Sequence, residues 1–124
     1  MVKAVVIFFV VIAVGALGYF FFNSKPMAPG KFDDLAKCLS EKKAIFYGAF
    51  WCPHCQNQKA MFGSSARLLP YVECSTPDSR GQKPECGAKD IKGYPTWVFA
   101  DESRLSGEIS LAELAKKTDC TLPN

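Results

Sequence analysis

Histidine is nearly absent: the chain has one in 124 residues, His54, and it lies between two cysteines. No Ser, His and Asp set is therefore credible for acyl transfer. A strong excess of one charge is also missing, since fifteen Lys and Arg face twelve Asp and Glu for a net charge of +3. These charges are interspersed along the chain, not gathered in a block, so nothing calls for nucleic acid. Gly48 and Gly63 do not form a phosphate-binding loop. At this length there is room for one small domain and one membrane-length segment, but not for two domains. Disorder is excluded by composition: only 22% of residues are charged, while ten Phe, four Tyr and two Trp supply material for a core.

Charge is wholly absent from Ala4 to Ser24. The run AVVIFFVVIAVGALGYFFF, from Ala4 to Phe22, approaches the ~30 Å hydrocarbon thickness if it is helical at about 1.5 Å per residue. A cleavable signal peptide is the competing reading, given the short basic start and the small residues from Gly15 to Gly18. A signal peptide's apolar core is shorter, however, and here the apolar run resumes as Tyr19, Phe20, Phe21 and Phe22, aromatics suited to the membrane interface. Residues 1–24 are expected to be an uncleaved anchor that meets lipid through residues 4–22. Residues 25–30 form a linker, within the polar stretch NSKPMAPG, and residues 31–124 form the domain. Lys3 competes with Lys25, Lys31 and Lys37, so the positive-inside rule does not favour an exported C-terminus.

Six cysteines, at positions 38, 52, 55, 74, 86 and 120, bear on the compartment. Free thiols at this density in a reducing cytosol would serve metal, whereas an even number in a small exported domain signals disulfides. From this the protein is expected to be single-pass, with its C-terminal domain on the extracytoplasmic side.

After the linker, Phe32, Leu35, Ala36 and Leu39 recur at helical spacing, predicting a helix over about Phe32 to Lys42 capped by Asp33 or Asp34. AIFYGAF, Ala44 to Phe50, reads as a strand buried on both faces. Trp51-Cys52-Pro53-His54-Cys55 follows, with Pro53 suited to the first turn of a helix that ends near Phe62. A strand is expected at Tyr71 to Cys74, a short helix around Glu85 to Ile91, and a hairpin from Thr96 to Ala100 and Arg104 to Ser106. Ser110 to Glu113 has the spacing of a capping box opening a last helix, with Lys116 and Lys117 in its final turn. Phe46, Phe50, Trp97, Val98 and Phe99 read as core packing.

A C-x-x-C pair at a strand-to-helix junction favours redox chemistry over metal. Free amide donors and the positive end of the helix dipole would hold Cys52 as a thiolate, with Pro53 and His54 tuning its acidity. Cys52 is thus the expected nucleophile, and Cys55, a helical turn further on and more buried, the resolving thiol. The competing readings are an inert disulfide or a zinc site completed by Cys74 and Cys86. That zinc spacing, C-x2-C-x18-C-x11-C, lacks the short knuckle of structural sites, so no metal is expected.

The order of elements, the WCPHC motif and the Tyr94-Pro95 step together resemble the thioredoxin-like superfamily. The fold implied is α/β, a minimal β-α-β-α-β-β-α thioredoxin-like domain with an extra N-terminal helix, placed after the transmembrane helix. The resemblance implies that Pro95 is a cis-proline facing the redox pair, and that Tyr94 contacts the client chain. Trp51 is counted with them as a substrate contact. A cis X-Pro bond costs only ~0.5–1 kcal/mol relative to trans, and Pro donates no competing hydrogen bond; an ordinary trans turn proline is the alternative.

More narrowly, FYGAFWCPHCQNQKAMFG, YVECS, GYPTWVF and LSGEISLAELAKKT are similar to the thioredoxin-like domain that accompanies bacterial and plant homologues of vitamin K epoxide reductase (VKOR). That domain is often fused to a quinone-binding membrane domain; with one membrane-length segment in this sequence, the fused form is not expected here. The resemblance thus implies a separate VKOR-like membrane quinone reductase as partner, exported cysteine-containing proteins as clients, and no cofactor beyond the redox-active disulfide, quinone being reached only through the partner. A monomer is expected. Cys74 and Cys86 match positions that the family pairs as a second disulfide, either as a staple or as a relay. Even arithmetic then leaves Cys38 with Cys120, one of the fifteen connectivities open to six cysteines. The expected function is oxidation of exported clients through the Cys52/Cys55 disulfide. An anchored reductase or isomerase using the same residues is one alternative, and a disulfide-stapled, non-catalytic binding module is another.

Overall fold

The computed structural model describes residues 2–22 and 27–124. Helix α1 (Val2–Phe22) runs through Gly15 and Gly18 without a break. Its stretch Val5–Phe22 has a mean hydropathy of 2.7, long and apolar enough to cross a membrane. From Val5 to Phe22 its valines, isoleucines and phenylalanines are exposed around the whole circumference, where a helix of a soluble domain would pack one face inward. Residues 23–26, the end of the expected anchor and the start of the expected linker, lie outside the described residues; Met27 to Gly30 have no regular structure.

The rest is a mixed α/β arrangement around a four-stranded sheet. Its elements are α2 (Asp33–Glu41), β1 (Ile45–Gly48), α3 (Pro53–Met61), a 3-10 turn (Gly63–Leu68), β2 (Tyr71–Glu73), α4 (Pro84–Ala88), β3 (Thr96–Val98), β4 (Arg104–Ser106) and α5 (Leu111–Thr118). The sheet order is β2-β1-β3-β4. β1 lies parallel to β2, pairing Phe46 with Tyr71, and antiparallel to β3, pairing Phe46 with Trp97. β1 is central in the sheet and buried on both faces, Phe46 on one and Tyr47 on the other, which is why its sequence is almost uniformly apolar.

Alternation along β1 divides the core. Phe46 joins Leu35, Ala36, Leu39, Cys55, Phe62, Trp97, Leu114 and Ala115, so α2, α3 and α5 contribute to one side. Tyr47 joins Cys74, Cys86, Ile91 and Val98 in a second cluster. Phe46 stacks on Trp97 at 5.0 Å and meets Tyr71 edge-on at 5.1 Å.

Three expectations are corrected, and one element was not foreseen. α2 is capped by neither Asp33 nor Asp34: its N-cap is Phe32, and Asp33 turns to a two-pronged ion pair with Arg67 at 2.9 and 2.7 Å. Phe50 is not core, because β1 ends at Gly48 and leaves Phe50 48% exposed. The stretch Gly63 to Leu68 is a 3-10 turn whose buried Ser65 hydroxyl accepts from the Phe32 amide at 3.0 Å. In the capping box, Ser110 Oγ accepts from the Glu113 amide at 3.2 Å, but the return bond is not made among the described residues, and Glu113 is exposed.

Candidate active site

β1 and α3 bring the cysteine pair to the end of the sheet. Cys52 is the N-cap of α3, with extended backbone (φ −80°, ψ 117°), and Pro53 occupies the first helical turn, where its missing N–H costs nothing. Cys52 Sγ accepts from the Cys55 amide at 3.4 Å, a donor the helix itself leaves unused. Both thiols are free, and both are buried, Cys52 at 4% and Cys55 at 1% exposure. The expected contrast in accessibility is therefore slight. Their surroundings differ more: burial first, then the neighbouring Cys52, pushes the Cys55 thiol up to about 12.

The loop before β3 faces this pair. The Tyr94-Pro95 bond is cis, and the Tyr94 carbonyl lies 3.7 Å from Cys52 Sγ, within reach of a weak S–H hydrogen bond. Pro95 is fully buried and Tyr94 is half-buried. Trp51 is 48% exposed and meets the Tyr94 ring edge-on at 6.1 Å, so the two aromatics flank the cysteines.

His54 does not turn its ring to a free position beside Cys52. Its Nδ1 lies 2.6 Å from Glu108 Oε1, which also accepts from Asn57 Nδ2 at 3.0 Å. The hydrogen bond from His54, then that from Asn57, holds the Glu108 carboxyl below its ordinary range. Any positive charge on His54 is thus offset by a carboxylate that sequence reasoning missed. Gln58, also missed, fixes that carboxylate in place. Fully buried, its side chain donates to the Ile109 carbonyl at 3.0 Å and accepts from the Ile109 amide at 2.7 Å, docking the loop that carries Glu108 onto α3. A glutamine on the same helical face as Cys55 was the available signal; nothing in the sequence pointed to its partner.

The other four cysteines are paired, Cys74 with Cys86 and Cys38 with Cys120. Cys74 and Cys86 are both 0% exposed. The loop they close reaches back to the site. Ser75 Oγ accepts from Trp51 Nε1 at 2.8 Å, and Gln82 Nε2 donates to Tyr94 Oη at 2.8 Å. Glu73, just before the loop, accepts from the Phe50 amide at 3.2 Å and the Ser75 amide at 2.8 Å. Both aromatic flanks of the cysteine pair therefore depend on one stapled segment.

No family model matches the chain. It is 50% identical over 93 residues to the thiol-disulfide oxidoreductase LTO1 of Arabidopsis thaliana, a match covering 71% of this chain and 24% of that protein. The chain therefore spans about a quarter of the relative's length. Over the matched stretch it is similar to part of that protein.

Proposed function

We propose that the chain is a membrane-anchored thiol-disulfide oxidoreductase with a thioredoxin-like domain, exchanging disulfides with exported proteins through Cys52 and Cys55. One observation carries the reading. Of six cysteines, four are locked in two disulfides, and the two left free sit at a helix N-terminus, one sulfur accepting from the other residue's amide. Such amides and the helix dipole favour a thiolate on Cys52. Burial and the high basicity of Cys55 suit a resolving thiol that acts within the chain, not one that meets clients.

In the oxidising direction, a client thiolate attacks Cys52 Sγ, Cys55 leaves, and a second client thiol releases the domain in its reduced form. Trp51 and Tyr94 offer the client an aromatic border. A separate VKOR-like membrane quinone reductase would restore the disulfide, with electrons residing on sulfur and no soluble cofactor. The pairing of His54 with Glu108 favours a second reading, net reduction or isomerisation, because it offsets the cation that would make the disulfide a stronger oxidant.

The test is trapping. In cells, Cys55→Ser is expected to accumulate mixed disulfides on Cys52, and Cys52→Ser to accumulate none. Absence of any Cys52-linked species from Cys55→Ser would sink the exchange mechanism and favour a non-catalytic module. The redox potential of the purified protein decides direction.

A further inference from the structure

Exchange places a charge where the fold disfavours one. When the Cys52–Cys55 bond is attacked at Cys52, its electron pair goes to Cys55 Sγ, on a residue 1% exposed. A thiol pushed up to about 12 is a poor leaving group unless a cation or a proton meets it.

A cluster outside the motif is built to supply one. Lys59 stands at i+4 from Cys55 on α3, hence on the same helical face. Its Nζ lies 3.4 Å from the centroid of the Tyr71 ring. That ring closes on Cys55 through the gap at Gly48: a Cβ there would lie 2.8 Å from Tyr71 Cε2, 3.4 Å from Tyr71 Oη and 3.1 Å from Cys55 Sγ. The ring is held from its far end, where Tyr71 Oη donates to Glu73 Oε2 at 2.7 Å. Glu73 is itself fixed by the amides of Phe50 and Ser75. Lys59 and the backbone at Ala49 are the groups that favour the Cys55 anion, against burial and Cys52.

We propose that Lys59 is the cation that meets the charge expelled onto Cys55, and that Tyr71, fixed by Glu73, positions it. The inference rests on the exchange function proposed above. The client sulfur bonds to Cys52 Sγ as the Cys52–Cys55 bond breaks, and Cys55 Sγ takes the electron pair. The resulting thiolate is stabilised by the Lys59 ammonium and is then protonated from solvent. A second client thiolate then attacks the client sulfur and Cys52 leaves. Two client thiols have become a disulfide, and the domain's disulfide has become two thiols.

The experiment uses the full chain in detergent micelles. The oxidised protein is mixed with dithiothreitol from about pH 6 to about pH 9, and reduction of the Cys52–Cys55 bond is followed in a single turnover. Lys59→Met and Lys59→Gln should each slow reduction by about tenfold, the equivalent of one pKa unit on Cys55. In a Cys52→Ser background they should move the pH dependence of Cys55 alkylation upward by about the same amount. Lys59→Arg, which keeps the charge, should remain within about twofold of the parent. Parental rates and pH profiles in both neutral variants, or an Arg variant as slow as Met, would overturn the inference alone. A parent whose bond does not react with dithiothreitol would overturn the functional reading and this inference with it.

Discussion

Gly48 leaves a gap that Cys55 and Tyr71 fill from opposite sides. An alanine there would put a methyl group 2.8 Å from a ring held at one end by Glu73 and packed edge-on against Phe46, so the ring cannot simply swing away. Gly48→Ala should lower stability by ~1–3 kcal/mol, the usual cost of overpacking, and displace Tyr71 from Cys55. Urea unfolding checks the first effect; an unchanged midpoint would mean that the strand yields. Asp33 makes the second residue-scale case. The hydrogen bonds from Arg67, helped by Ser65 and Gly30, hold its carboxyl well below the ordinary 3.8, against the effect of burial. A depressed folded pKa gives stability that is fully present above the unfolded value and is lost as pH falls below it. Asp33→Asn should therefore lower Tm at neutral pH by several degrees and flatten the loss of Tm below about pH 4. Parallel acid limbs for parent and variant would contradict the assignment. Asp33 also shows why residue roles were only partly legible. Its place at a helix start suggested a cap, and Arg67, 34 positions away, was invisible until the chain folded.

At the scale of elements, the two disulfides do different things. Cys38–Cys120 joins α2 to the segment after α5 across a separation of 82 residues, whereas Cys74–Cys86 closes 12. In the chain-entropy account, losing the first should cost about 4.5 kcal/mol and losing the second about 3 kcal/mol. Activity should rank them the other way. Only the shorter loop carries Ser75 and Gln82, which hold Trp51 and Tyr94, so the Cys74→Ala, Cys86→Ala double variant should exchange thiols more slowly, while Cys38→Ala, Cys120→Ala should not. Urea titration and dithiothreitol reduction measure the two rankings, and a single order in both would refute the division of labour. What sequence revealed at this scale follows the same logic. β1, α3 and β4 were legible because each rests on a local signal: an apolar run between flanking strands, Pro53 after a cysteine N-cap, and a turn of Asp101, Glu102 and Ser103. The 3-10 turn was not, because it is fixed by contacts with α2 and by the Ser65 bond to Phe32, not by any periodicity of its own. The docking of Glu108 and Asn57 beside His54 was hidden for the same reason, the partners lying 51 positions apart.

For the whole molecule, two physical arguments bear on which side of a membrane the domain would face, and they point in opposite directions. Helix α1 carries Lys3 near its start, while Lys31 and Lys37 follow its end, a balance that would keep the domain with the cytoplasm if the helix spans a membrane and charge alone decides. The disulfides argue otherwise. Cys74 and Cys86 are 0% exposed, and Cys38 and Cys120 tie the two ends of the domain together, so both bonds must form while the chain is folding, in a compartment that permits oxidation. A cytosolic thiol pool would leave these four cysteines reduced and remove several kcal/mol from a small domain. Charge bias is a preference summed over flanking loops and can be overridden, whereas unformed disulfides would remove both the staple on Trp51 and Tyr94 and the closure of the domain ends. Export should therefore prevail. A reporter that matures only outside the cytoplasm, fused after Asn124, should be active, and the four structural cysteines should resist alkylation in intact cells until the protein is unfolded and reduced. Activity confined to a cytoplasmic reporter, with Cys38, Cys74, Cys86 and Cys120 all alkylated without reductant, would reverse the topology and leave the Cys52/Cys55 pair without exported clients.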